Sequence, residues 1–173
     1  WQMIGTSFET DPDASGQTRH ISFLGLVPMG PDYFLVARMP IVQGRAPASP
    51  TGAQASDEIV VNRVMARRLW PDGHAIGARL RAINPRMPKA TSYTVVGVVD
   101  GAHLPSIAAT QEPVMYQDLH LPGDVSYILR VSGDPGAVIT ALRRVVAGVS
   151  SSALARRVTI GDDYIRDALA PTQ

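Results

Sequence analysis

The sequence has 173 residues, of which 45% are hydrophobic and 18% charged, a balance typical of a packed globular chain. This length fits one ordinary domain, or one domain with an inserted lobe. The formal net charge of +1 argues against a protein dedicated to nucleic acid, whose affinity would come from neutralising phosphates. Because there is no cysteine, disulfides, cysteine-ligated zinc and thiol nucleophiles are excluded.

The sequence contains no span of 18 apolar residues, the minimum for a helix that crosses a membrane. It begins at Trp1, with neither an initiator methionine nor a signal-type hydrophobic segment. We therefore expect a soluble piece of a longer protein.

The first half of the chain alternates short strands with short helices. Predicted elements are a strand over 20–29, a helix over 32–38, a strand over 58–61 and a helix ending near 70. Pro31 favours the start of the first helix, and Asn62 is placed to cap the second. Gly, Ala, Pro, Ser and Thr dominate residues 44–57, which predicts a loop.

The second half is richer in strands. Predicted elements are strands over 77–83, 93–99, 113–116 and 127–131, a helix after 135, and a last helix over 164–169. Residues 93–99 are apolar on both faces, which predicts a central strand. Asp134 and Pro135 are a typical helix start, and residues 159–162 resemble a capping box. The long helix carries its apolar stripe on Val138, Leu142, Val145 and Val149. This order of elements predicts the α+β class.

The chain shows no catalytic constellation. No histidine lies three or four residues from another, and no phosphate-binding loop or nucleophile-elbow motif is present. The acidic pair at 57–58 would point to opposite faces of a strand, and the pair at 162–163 falls in a predicted first helical turn. The proline-rich residues around Lys89 predict a turn rather than a Schiff-base site. We therefore expect no catalytic residue, no cofactor and no metal.

Four segments, read together and in order, resemble a known family. They are residues 33–45, 59–77, 93–99 and 113–116. Together they resemble the periplasmic core domain of MacB/FtsX-type ABC-transporter permeases, over roughly 21–169. The chain departs from the family pattern at Ala46-Pro47, where an aromatic residue and an acid are usual, and at Arg63 and Ala75. The motif positions that we interpret as structural are Tyr33, Phe34, Gly44, Arg45, Asn62, Ala66, Trp70, Pro71, Gly77, Gly97, Pro113 and Tyr116.

Three motif residues have a physical interpretation of their own. Gly44 ends an apolar run where a left-handed or tight conformation is expected. Gly97, inside an apolar strand, predicts a close approach by a neighbouring element. Trp70 closes an amphipathic helix as a large apolar plug. All three interpretations describe a scaffold rather than a reactive site.

The resemblance implies a two-lobed domain. Residues 1–30 and 121–173 would form a porter-like α/β lobe, and residues 31–120 an inserted β-rich, Sabre-like lobe. It also implies a location on the periplasmic face of the bacterial inner membrane, as part of an integral membrane protein. The implied partners are the permease's own transmembrane helices, an ABC ATPase on the cytoplasmic side, a second permease copy, and a periplasmic adaptor or lipoprotein.

We weigh three functions. The resemblance favours a non-catalytic module that transmits the ATP-driven motion of membrane helices and contacts substrate or an adaptor. The alternative is a free-standing soluble binding or adaptor domain of the same fold, and transmembrane helices encoded on either side would decide between the two. An enzyme would need polar groups that converge in space without any signature in their spacing.

Overall fold

The computed structural model describes residues 2–13, 15–30, 32–48, 56–83, 92–100, 112–118 and 127–149, together with residues 158 and 160. The strands in these ranges are β1 (Gln2–Thr10), β2 (His20–Met29), β3 (Ile41–Gly44), β4 (Glu58–Asn62), β5 (Arg79–Ile83), β6 (Ser92–Val99) and β7 (Val114–Asp118). The helices are α1 (Tyr33–Val36), α2 (Arg63–Leu69) and α3 (Pro135–Val149). None of these helices is long and apolar enough to cross a membrane.

The strands form one mixed sheet that closes on itself. Their order is β3-β6-β4-β7-β2-β1-β5, and β5 also pairs with β6, so six strands complete a ring. One edge of β6 pairs with β4, while its other edge is shared, with residues 92–94 facing β5 and residues 97–99 facing β3. The predicted central position of this strand is therefore confirmed. The α+β class is also confirmed.

All six ring strands contribute to an interior core. It contains Phe8, Ile21, Leu26, Ile59, Val61, Leu80, Val95, Val98 and Met115 from the strands, with Met65, Ala66, Leu69, Trp70 and Ala75 from α2 and the residues after it. The amphipathic pattern of α2 is as predicted, since Met65 and Leu69 are fully buried while Arg67 is exposed. The helix therefore buries its apolar face in the ring.

A second core covers the outer face of four ring strands. Because side chains alternate along a strand, Val60 and Tyr116 point outward while their neighbours point into the ring. The short helix α1 packs there through Phe34, whose ring meets that of Tyr116 edge to face at a centroid distance of 5.4 Å. Tyr33 completes this aromatic cluster.

The structure corrects the predicted elements at three places. Strand β1 and the short strand β3 were not predicted, and both exist because other strands pair with them along their length. The predicted strand over 127–131 is wrong: the segment is irregular and exposed, and no described strand pairs with it. The predicted stripe of α3 is wrong at Val145, which is 63% exposed, whereas Val138 and Leu142 are half-buried.

Three predictions lie outside the described residues. These are the helix over 164–169, the capping box over 159–162 with its acidic pair, of which only residue 160 is described, and the turn around Lys89. The two lobes also remain a prediction. Within the described ranges, strands from both proposed lobes share one sheet, since β1 pairs with β5 and β2 pairs with β7.

The outer core contains one polar atom with no hydrogen-bond partner among the described residues, the hydroxyl oxygen of Tyr116. Burial raises the pKa of this hydroxyl, and the nearby Tyr33 raises it further. An unsatisfied buried hydroxyl costs roughly 1–3 kcal/mol of stability.

We predict that Tyr116→Phe increases the free energy of unfolding by about 1 kcal/mol, because the ring keeps its contacts and the unpaired hydroxyl is removed. Urea denaturation at pH 7 measures the change. The gain should grow above the ordinary tyrosine pKa of 10.0, because the hydroxyl ionises more readily in the unfolded chain than in the folded one. A destabilised variant would show that the hydroxyl has a partner in the folded protein.

Candidate functional site

Several ionisable groups of the described ranges form ion pairs at the surface. Within those ranges no three His, Cys, Asp or Glu side chains are grouped so as to hold a metal ion. His74 lies 3.1 Å from Asp72 and His20 lies 3.7 Å from Glu9, all on the surface. The carboxylate of Glu58 forms an ion pair with Arg45. The candidate site is therefore described from the motif residues that hold β3, β4 and α2 together and from the groove that they form.

Asn62 joins three elements through one buried side chain. Its Oδ1 accepts hydrogen bonds from the backbone N–H of Met65 at 2.9 Å and of Val114 at 3.1 Å. Its Nδ2 donates to the carbonyl oxygen of Glu112 at 2.8 Å. The cap of α2 was predicted from the sequence and is confirmed. The link to β7 was not predicted, because nothing in the spacing of residues 62 and 114 indicates that they meet.

Gly44 and Gly97 lie opposite each other in the pairing of β3 with β6. Gly44 has a φ of +70°, so the predicted left-handed conformation is confirmed. A Cβ on Gly44 would collide with the carbonyl oxygen of Val96, and one on Gly97 would collide with that of Arg45. The predicted close approach at Gly97 is thus confirmed, and it holds β3 tightly against the ring.

An ion pair fixes the chain where it leaves β3. The guanidinium of Arg45 donates to both carboxylate oxygens of Glu58, over distances of 2.8 and 2.5 Å. The backbone N–H of Ala48 donates to the same carboxylate at 2.8 Å. These hydrogen bonds, that from Arg45 above all, hold the pKa of Glu58 below its usual range. The short segment after β3 is thereby attached to the start of β4.

A groove runs between α2 and β3, with a volume of about 340 Å³. We call it the α2–β3 groove. Its lining residues are Val42, Gln43, Arg63, Ala66, Arg67, Trp70, Pro71, Gly73, Ala75 and Val98. The side chains of Ala66, Trp70 and Val98 provide apolar surface, and two arginines of α2 provide positive charge. The groove thus combines a concave shape with both apolar and cationic side chains.

The remaining motif positions occupy supporting places. Gly77 has a φ of +80° and its N–H donates to the carbonyl oxygen of Val95 at 2.8 Å. The carbonyl oxygen of Pro113 accepts from the N–H of Gly25 at 3.0 Å, just before β7 begins. The motif residues thus fall into separate groups, at the groove, at the aromatic cluster and along the strand ends. The sequence did not predict that Ala66, Trp70 and Pro71 would line a groove.

Comparisons with known proteins show the family to which the chain belongs. A family model described as MacB-like periplasmic core domain matches residues 4–159. The chain belongs to this family, as the sequence motifs predicted. A search of curated proteins finds no match.

The solved structures that are similar to this chain include the following three. The periplasmic region of MacB from Actinobacillus actinomycetemcomitans has a TM-score of 0.55 at 13% identity, covering 86% of this chain and 69% of that one. A domain of a putative permease protein from Porphyromonas gingivalis has a TM-score of 0.50 at 12% identity, covering 98% and 86%. The extracellular domain of the noncanonic ABC-type transporter YknZ from Gram-positive bacteria has a TM-score of 0.42 at 15% identity, covering 67% and 53%. This chain thus spans about half the length of the YknZ domain.

We predict that Asn62→Ala lowers the free energy of unfolding by at least about 3 kcal/mol, since it removes a helix cap and leaves several buried backbone groups unpaired. Asn62→Ser keeps an acceptor for the cap but is too short to reach β7. If the hydrogen bonds to residues 112 and 114 contribute to stability, Asn62→Ser lowers the free energy of unfolding by most of the amount that Asn62→Ala does. Urea denaturation measures both changes.

The matched control is Asp134→Ala, which removes the exposed cap of α3. It should cost no more than about 1 kcal/mol. If Asn62→Ser is as stable as the unmodified chain, Asn62 contributes to stability only through its cap of α2 and not through its link to β7.

We predict that Glu58→Gln lowers the melting temperature at pH 7 and that the difference disappears in acid. The folded-state pKa of Glu58 is depressed, so its contribution is present above the unfolded value of about 4.5 and is lost as the pH falls through the folded value. Melting curves from pH 7 to pH 3 measure this. The control is Asp57→Asn, a neighbouring exposed carboxylate that pairs with no described cation, which should change little. A pH-independent gap between Glu58→Gln and the unmodified chain would contradict the ion pair.

Proposed function

We propose that the chain is the periplasmic domain of an ABC-transporter permease in the bacterial inner membrane, and that it transmits motion of the membrane helices to the periplasmic side. The match of the family model over residues 4–159 is the observation that carries this proposal. The domain itself would be non-catalytic, with ATP hydrolysed by a separate nucleotide-binding domain or protein.

The closed sheet supports a mechanical role. A body that transmits displacement must deform less than it moves, and a ring of six hydrogen-bonded strands around a packed core resists deformation. The outer core adds α1 to the same body. The domain would therefore move as a unit when the membrane helices move.

The two-lobe organisation belongs to the same proposal. Residues 1–30 with 121–173 would form the porter-like lobe, and residues 31–120 the Sabre-like lobe. Because β1 and β2 pair with β5 and β7, continuous backbone hydrogen bonding would join the two lobes. A displacement at the membrane end would then reach the far end without loss in a hinge.

The proposed partners follow from the proposed role. The domain would be attached to its own transmembrane helices, with an ABC ATPase on their cytoplasmic side and a second permease copy beside them. On the periplasmic side it would contact substrate, an adaptor or a lipoprotein. For transmission of motion, these periplasmic contacts must differ between the nucleotide-free and the nucleotide-bound transporter.

We predict that ATP binding changes the distance between two copies of the domain but not distances inside one copy. Spin labels at Arg68→Cys on α2 report the distance between copies in the assembled, full-length transporter. Labels at Arg68→Cys and Ser22→Cys in a single copy report the internal distance. Both positions are exposed, and the chain has no other cysteine to label.

Pulsed electron–electron double resonance measures both distances with and without ATP. An unlabelled Arg68→Ala variant should hydrolyse ATP normally, because Arg68 forms no ion pair with any described residue. An inter-copy distance that ignores ATP would refute transmission of motion. An internal distance that shifts as far as the inter-copy distance would refute the rigid body.

A further inference from the structure

The α2–β3 groove has a floor that suits one apolar side chain. Trp70 and Ala66 are 8% and 9% exposed, and both line the groove together with Val98 of β6. Pockets for whole small molecules have volumes of roughly 300–1,000 Å³, so about 340 Å³ is at the small end. The groove therefore fits an anchoring side chain better than a whole metabolite.

The charge of the groove favours an acidic ligand. Arg63 is held at its edge by Asp100, with 3.1 Å between Nη2 and Oδ2. Arg67 is exposed and forms no ion pair with any residue in the described ranges. Among the described residues, the Arg67 guanidinium is thus unpaired beside an apolar floor, and its planar donors match the two oxygens of a carboxylate.

The groove also adjoins an open strand edge. Strand β3 is the end strand of the order, and no described strand pairs with its outer edge. Its residues Val42 and Gln43 line the groove. An outer edge presents backbone N–H and C=O groups that an extended peptide can pair with. The tight Gly44–Gly97 contact and the Arg45–Glu58 pair hold this edge in place before any ligand arrives.

We propose that this groove binds an extended acidic peptide segment of a partner protein. The segment would add a strand to the edge of β3, place one apolar side chain against Trp70 and direct a carboxylate to Arg67. Charge complementarity at Arg67 and the open edge of β3 are the two observations that select a peptide. The site rests on the partner contact proposed above, but its test uses the 173-residue chain alone and is independent of nucleotide.

Trp70 itself reports binding. The chain has two tryptophans, so Trp1→Phe leaves Trp70 as the single fluorophore. The probe is the capped heptapeptide Val-Glu-Val-Phe-Val-Glu-Val. In an extended strand its phenylalanine and its two glutamates lie on the same face. We expect a saturable change in Trp70 emission that weakens with added salt. The same peptide with glutamine in place of glutamate should bind at least about fivefold more weakly.

Two arginines on α2 give a matched pair of variants. Arg67→Gln removes the groove cation and should weaken binding of the acidic peptide about fivefold or more. Arg68→Gln removes the adjacent exposed arginine, which does not line the groove, and should leave binding unchanged apart from a small salt-dependent effect. Both variants should melt at the temperature of the unmodified chain, since neither residue is in the core.

Two further ligands separate a peptide from a small anion. A heptapeptide with N-methylated backbone amides cannot pair along β3 and should bind more weakly, whereas 3-phenylpropionate carries only the ring and the carboxylate. Equal binding of 3-phenylpropionate and the peptide would overturn the proposal in favour of a small-anion site. No change in Trp70 emission at millimolar peptide, or equal losses from Arg67→Gln and Arg68→Gln, would overturn it altogether.

Discussion

The fold depends on the hydrogen bonds of one buried amide. Asn62 ends β4, caps α2 and links both to the chain before β7, so strand, helix and neighbouring strand share one set of bonds. An ionised carboxylate could satisfy only part of this set, because it accepts from the two N–H groups but has no hydrogen to donate to the carbonyl. A serine hydroxyl has the donor and the acceptors but is too short to reach all three partners. The position of α2, and with it the apolar plug of Trp70 in the ring, follows from this residue.

The groove depends on a second constraint, the absence of side chains at Gly44 and Gly97. Because both positions lack a Cβ, β3 approaches β6 closely enough to form one wall opposite α2. The other wall carries Arg63, Ala66, Arg67 and Trp70 at helical spacing. The shape of the groove is therefore set by backbone packing, and its chemistry by one face of a two-turn helix.

Local patterns predicted the elements whose signals are local. Strand β4 and helix α2 follow from an apolar run and a capping residue, and the motif segments led to the family that the comparisons confirm. Strand β1 has few apolar residues and little alternation, so only its pairing with β2 and β5 makes it a strand. Residues 127–131 have the composition of a strand, but no described strand pairs with them. The groove could not be foreseen because it needs β3 and α2 side by side, and no spacing along the chain encodes that contact.

The parallel pairing of β2 with β7 has a consequence for how the protein is made. Gly25 lies opposite Val114, so the two partners are separated by roughly ninety residues of chain, and contacts of this separation form slowly. During synthesis, β1 and β2 emerge long before β7, the strand that completes the pairing of β2. The edge of β2 that faces β7 therefore stays unpaired until residues 114–118 have been made.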